Sequence, residues 1–221
     1  MTLNETLAAL EQAGTAQNRK VYGRHGVKPP MFGVSYANLG KLTKRIKVDH
    51  ELAQQLWESG NHDARILATK VADPARATGK LLEAWRKDLD NYVLTDAFAQ
   101  FAAKTPQAAS KARQWSSKKA EWTARSGWLL TAILARRPEH EANYEQLLGT
   151  IESEIHGARN RARDAMNSAL IAIGIQSPAL RKKAIAAARR IGKVEVDHGE
   201  TGCKTPDAKS YILKAAARKK R

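Results

Sequence analysis

One pattern recurs along almost the whole chain and limits what it can fold into. A capping residue or a proline is followed by roughly 10–18 residues whose apolar side chains fall three or four apart, and then by a glycine or another proline. Ser35 precedes Leu39, Leu42 and Ile46; Asp49 precedes Leu52, Leu56 and Trp57; Asn61 or His62 precedes Ile66, Leu67 and Val71, stopped by Asp73-Pro74. The same spacing predicts helices over Thr2–Gln17, Ala77–Trp85, Tyr92–Phe101, Lys118–Arg136 and Arg159–Ile173, the last broken by Gly174. Thr105-Pro106, Pro138 and Ser177-Pro178 each look like a helix start with proline in the first turn. Strand alternation is confined to Val194-Glu195-Val196, so the expected class is all-α.

The helices come in pairs, and a pair occupies roughly 35–45 residues, the period of two-helix solenoid repeats such as HEAT. The expectation is an α-solenoid of HEAT-like helical repeats with a concave basic face, since stacked helix pairs curve and a concave face can follow a duplex; a compact irregular bundle is the alternative. No linker divides the chain, so residues 1–221 are expected to form a single domain with an irregular loop at 193–205 and a short basic C-terminal helix at 206–221, ending in Arg218-Lys219-Lys220-Arg221.

Charge bears on the partner. The net charge is +16, and it is uneven: residues 1–110 carry 15 basic and 11 acidic side chains, residues 111–221 carry 23 and 11. A positive field of that size favours a polyanion, nucleic acid before an anionic membrane surface. No apolar run approaches the ~18 residues of a membrane span, and the N-terminus lacks a signal-peptide core. The single cysteine, Cys203, excludes an intramolecular disulfide framework and fits a reducing cytoplasm. A monomer in the cytoplasm, associated with the nucleoid and free of membrane, is the expectation.

On a helix over Tyr92–Phe101, Val93, Leu94, Ala97, Phe98 and Phe101 make an apolar stripe, while Tyr92 and Asp96, four apart, stack away from it. An aromatic ring beside a carboxylate suits a cation or a developing positive charge, and also suits a plain solvated face. Trp122 and Arg125 share a face after the basic pair Lys118-Lys119, fit for a phosphate or base; packing of Trp122 with Leu129 and Ile133 accounts for it equally. Arg65, Arg159, Arg161 and Arg163, with Lys182, Lys183, Arg189 and Arg190, are further candidate phosphate contacts. Asp197, His198 and Cys203 are metal-type side chains at a spacing that matches no established zinc pattern, so no metal and no cofactor is expected. The glycines form no phosphate loop.

Several stretches resemble the HEAT-like DNA alkylation repair family, the AlkD-type alkylpurine DNA glycosylases, over about Tyr22 to Ile175. They are Phe32-Gly33-Val34-Ser35, Asp49-His50-Glu51-Leu52-Ala53 with Leu56-Trp57-Glu58-Ser59-Gly60, and His62-Asp63-Ala64-Arg65-Ile66-Leu67-Ala68 with Asp73-Pro74. Asp90-Asn91-Tyr92-x-x-x-Asp96 sits where that family has Trp-Asp-x-x-Asp, and Trp122-x-x-Arg125 where it has Trp-x-x-Arg. The resemblance implies an all-helical surface that grips duplex DNA and hydrolyses the N-glycosidic bond of N3- or N7-alkylated purines without a metal. It implies that Asp96 stabilises the sugar oxocarbenium, that Tyr92 lies against the deoxyribose and that Arg125 binds phosphate. This chain departs from the pattern at Tyr92 and Val93, and at Asn167-Ser168, where a second tryptophan is expected. A non-catalytic HEAT-repeat protein binding DNA or RNA is the alternative.

Overall fold

The structure, a computed structural model, describes residues 1–137 and 139–218. Its elements are α1 (Leu3–Ala13), α2 (Ala16–Arg24), α3 (Tyr36–Ile46), α4 (His50–Glu58), α5 (His62–Val71), α6 (Gly79–Lys87), α7 (Tyr92–Ala102), α8 (Ala108–Ser116), α9 (Glu121–Leu134), α10 (Tyr144–Glu154), α11 (Asn160–Gln176), α12 (Pro178–Ile191) and α13 (Ala208–Arg218). A 3-10 turn, Ile155–Gly157, joins α10 to α11. Among the described residues the sole β pairing is an isolated bridge between Gly14 and Val34.

The caps explain most boundaries. Ser35, Asp49, Asn61, Asn91 and Ser177 each accept a first-turn N–H with a side-chain oxygen. Four expectations need correction. Thr2–Gln17 is two helices, because Gly14 is extended and Thr15 caps a second start. Proline follows Thr105 but the helix begins only at Ala108; Thr105 donates its hydroxyl back to Ala102 O, closing the preceding turn. The basic run Lys118-Lys119 precedes α9 rather than opening it. Gly174 does not break α11: a Cβ there would lie 2.5 Å from Ile212 Cδ1 and 2.9 Å from Ala184 Cβ, so the glycine lets α12 and α13 close on α11. The helix start expected at Pro138 and the tail Lys219–Arg221 lie outside the described residues; α10 is capped by Asn143.

The chain divides into two compact units. In the first, Met1–Gln107 with Gly199–Thr201, α5 packs against α1, α3, α4 and α7, which is why eight of its ten residues are buried. Trp57 of α4 stacks on Trp85 of α6 at 4.3 Å with planes 1° apart, and Phe98 and Phe101 of α7 complete the aromatic core. In the second unit, Ala108–His198 and Gly202 onward, α11 packs against α9, α10, α12 and α13. Gly127 lets α9 meet α8: a Cβ there would lie 2.1 Å from Ser116 N.

Candidate functional site

In the first unit Asn91 caps α7 by accepting from Leu94 N at 2.9 Å, and so sets Tyr92 and Asp96 one turn apart. Both are half-buried, whereas Leu94, Phe98 and Phe101 of the apolar stripe are buried. The Tyr92 hydroxyl hydrogen-bonds His25 Nδ1, and the two rings lie 5.8 Å apart at 59°. A third ring, Tyr36 at the start of α3, was not foreseen as part of this group. Partial burial of its phenol, then the charges of Asp96 and Asp63 and the neighbouring Tyr92, raise its pKa. Lys70 Nζ lies 5.5 Å from the centre of its ring. Nothing in the spacing of Tyr36 could have signalled this, because the loop that delivers it precedes α3.

That loop is held by one buried anion. Asp63, 1% exposed, accepts from Phe32 N at 2.7 Å, Gly33 N at 2.9 Å and Val34 N at 2.8 Å. Nearby, Tyr22 donates to Val34 O and stacks edge-on with His62. Burial, assisted by Asp63 and Tyr36, pushes the Tyr22 phenol up to about 12. Burial lowers the pKa of His62, against the pull of Asp63 and Asp90. Asp63 and His62 thus organise the loop rather than merely capping α5. Arg65 is spent on the interior as well: its Nε donates to Trp57 O, its guanidinium lies over the Trp57 ring and Asp88 pairs with it at 3.3 Å. The sequence placed it among phosphate contacts; the structure gives it a role in holding α4.

In the second unit, three of the predicted cations converge. Lys118, Lys119 and Arg159 line one cleft of about 480 Å3, floored by the buried side chains of Ala124, Trp128, Ala162 and Met166. Lys118 and Lys119 are exposed, as is Arg159, and Glu154 is the single acid of the lining. The α9 N-terminus that follows the lysines has Ala120 at its cap position and no side-chain cap.

Two of the other predicted cations are internal. Arg125 is 3% exposed and sits between α9 and α11, donating from Nη1 to Arg161 O at 2.9 Å and to Asp164 Oδ2 at 2.8 Å. Trp122, one turn earlier, is half-buried. The Arg161 N–H donates to Glu121 Oε1 at 2.7 Å, and the residue is half-buried. Arg163 donates to four main-chain carbonyls, those of Ile155, His156, Ala158 and Glu195. Arg125 is therefore buried rather than on the surface, adding a bond to a carbonyl of α11, and the half-buried Arg163 satisfies carbonyls of the turn before α11 and of the segment after α12.

The irregular segment after α12 becomes intelligible from the same helix. Asn160, Arg163 and Asn167 fall at i, i+3 and i+7 on one face of α11. Asn160 exchanges two bonds with Asp197, donating at 2.7 Å and accepting at 2.8 Å; Arg163 holds Glu195 O and Asn167 Nδ2 holds Pro206 O at 2.9 Å. The segment is thus a strap tied across α11. Where the family pattern has a tryptophan, Asn167 serves the strap and Ser168 is half-buried. His198 Nε2 pairs with Thr205 Oγ1, Cys203 is exposed, and among the described residues no three His, Cys, Asp or Glu side chains come together to hold a metal ion. No described helix is long and apolar enough to cross a membrane.

Comparison with known proteins agrees with this architecture. An uncharacterized protein of Listeria innocua is 34% identical over 223 residues, covering 98% of this chain and 96% of that protein. An uncharacterized protein of Listeria monocytogenes is 33% identical over 225 residues, covering 99% and 97%. A solved structure superposes with a TM-score of 0.90 at 27% identity, over 99% of this chain and 95% of that one; it represents a family related to the HEAT-like repeat DNA glycosylases with affinity for branched DNA structures. The fold is accordingly all-α and HEAT-like. Residues 3–217 match the family described as DNA alkylation repair enzyme, and the chain belongs to it.

Proposed function

We propose that this protein binds DNA through the cleft of Lys118, Lys119 and Arg159, and that Asp96 then promotes hydrolysis of the N-glycosidic bond of N3- or N7-alkylated purines. The convergence of those three cations on one cleft is the observation that carries the binding half. Three exposed cations over an apolar floor suit a phosphate and the sugar beside it. The relative with affinity for branched DNA supports nucleic acid as the partner.

The chemistry asks little of the protein. An alkylated purine already carries a positive charge, so the bond from C1′ to the purine nitrogen breaks with its electron pair leaving on a neutral base. The oxocarbenium that remains needs a nearby negative charge and a water, and Asp96 supplies the first and orients the second. Tyr92, its ring fixed by His25, offers a π-face to the cationic base or sugar. Released N7-methylguanine or N3-methyladenine from methylated duplex, lost in Asp96→Asn at unchanged unfolding midpoint, is the expected result. Absence of release at enzyme in excess over DNA removes the catalytic half and leaves the binding half standing. A second reading, binding of branched DNA without base release, is favoured by Asn167 and Ser168, which supply no ring where the family pattern has one. Tighter binding to a four-way junction than to a duplex of the same length, with no released base, is its signature.

A further inference from the structure

A cavity of about 990 Å3 lies under the strap, between α11, the end of α12 and the start of α13. Its lining carries five basic and three acidic side chains. Arg163 is spent on carbonyls, and Lys193 is paired with Glu195 at 2.8 Å. Asp207 caps α13 by accepting from Ser210 N. Arg189, Lys204 and Lys209 also line the cavity; Lys209 feels the charge of Asp207, and among the described residues none of the three is within salt-bridge distance of an acid. Asn167 lines it too, 1% exposed, with its Nδ2 committed to Pro206 O and its Oδ1 without any hydrogen-bond partner. A buried acceptor left unmet costs about 1–3 kcal/mol, so Asn167 Oδ1 gains from an N–H donor that reaches it.

One ligand chemistry answers both demands. A phosphate suits the three cations, and the amide or exocyclic amine of a nucleobase suits Asn167 Oδ1. The cavity has the upper volume usual for small-molecule sites, about 300–1,000 Å3, which admits a base, a sugar and a phosphate together. We propose that the cavity under the strap binds a single nucleotide, its phosphate on Arg189, Lys204 and Lys209 and the donor edge of its base toward Asn167. The site is separate from the cleft of Lys118, Lys119 and Arg159 and does not rest on the DNA-binding reading. The nucleotide is either free or an unpaired residue of a strand, and both present the same groups.

Calorimetric titration of the whole chain with deoxyadenosine 5′-monophosphate, inorganic phosphate and deoxyribose 5-phosphate tests this. The expected order places the nucleotide at least about tenfold tighter than either base-free anion, a difference of about 1.4 kcal/mol. Lys204→Glu with Lys209→Glu weakens nucleotide binding at least about tenfold while the unfolding midpoint and duplex binding stay as in the wild type. Asn167→Leu brings the nucleotide down to the affinity of deoxyribose 5-phosphate. No saturation by about 10 mM nucleotide, equal affinity for nucleotide and phosphate, or binding untouched by the charge reversals overturns the proposal. A second arm, in a Lys118→Glu/Lys119→Glu background, compares a blunt duplex with one bearing a single unpaired nucleotide. Preference for the latter assigns a strand as the source, and equal binding with the mononucleotide site intact assigns a free nucleotide.

Discussion

In the first unit the buried carboxylate of Asp63 gathers three backbone N–H groups and fixes the loop that leads into α3. In the second unit the buried guanidinium of Arg125 reaches a backbone carbonyl and Asp164, and Arg163 gathers four more carbonyls. Asp63 and Arg163 are alike with the sign reversed: a charged side chain serves main-chain groups that no helix satisfies, whereas Arg125 adds a bond to a carbonyl already within α11. The lesson concerns charge counting. A net charge of +16 does not mean that every arginine is offered to a partner. Arg65, Arg125 and Arg163 are consumed inside the fold, while Lys118, Lys119 and Arg159 remain on a cleft.

The comparison breaks first at Asp63. Asp63→Ala leaves three buried N–H groups without an acceptor and should cost about 3–5 kcal/mol, read as a fall in the denaturant midpoint. A cost under about 1 kcal/mol would mean that water replaces the carboxylate and that the loop is not held as described. Next comes Arg125→Met, which strands Asp164; about 2–4 kcal/mol is expected, with part recovered when Asp164→Leu is added. An exposed, phosphate-binding arginine would show no such coupling. Gly127→Ala drives a methyl into the α8 backbone and should cost about 1–3 kcal/mol, with no change at the Asp63 loop.

How much of this was legible follows from where the information lies. The caps Ser35, Asp49, Asn61 and Ser177 and the apolar stripes are local, and they marked helix class and most boundaries. The break at Gly14 was hidden, because Leu3, Leu7 and Leu10 keep the helical rhythm up to it and Thr15 looks like one more polar position. Lys118, Lys119 and Arg159 were legible as basic residues, but their meeting depends on how α9 and α11 pack. The roles of Arg125 and Arg163 were not legible, since a cation that bonds a carbonyl some tens of residues away has no local signature. The strap was opaque for the same reason: its polar groups match Asn160, Arg163 and Asn167 only once α11 turns that face toward them.

The smallest effect is on pH dependence, again with opposite senses. His62 has a lowered folded pKa, so below 6.5 the unfolded chain takes up the proton first and stability falls as pH drops; His62→Gln should flatten that acid limb. Tyr22 has a raised folded pKa, so its contribution is complete below 10 and is lost as pH climbs through about 12. Titration of the tyrosinate absorbance should show a phase near pH 12 that is lost in Tyr22→Phe.

In the proposed DNA complex a particular trio of cations, Lys118, Lys119 and Arg159, and not the basic excess as a whole, grips the nucleic-acid backbone. The slope of log affinity against log salt for one duplex, measured for the wild type and for Lys118→Glu/Lys119→Glu/Arg159→Glu, tests it directly. Each phosphate contact contributes about 0.9 to that slope, so the triple variant should be shallower by about 2–3 with its unfolding midpoint within about 0.5 kcal/mol of the wild type. An unchanged slope in a folded variant would mean that the backbone is gripped elsewhere.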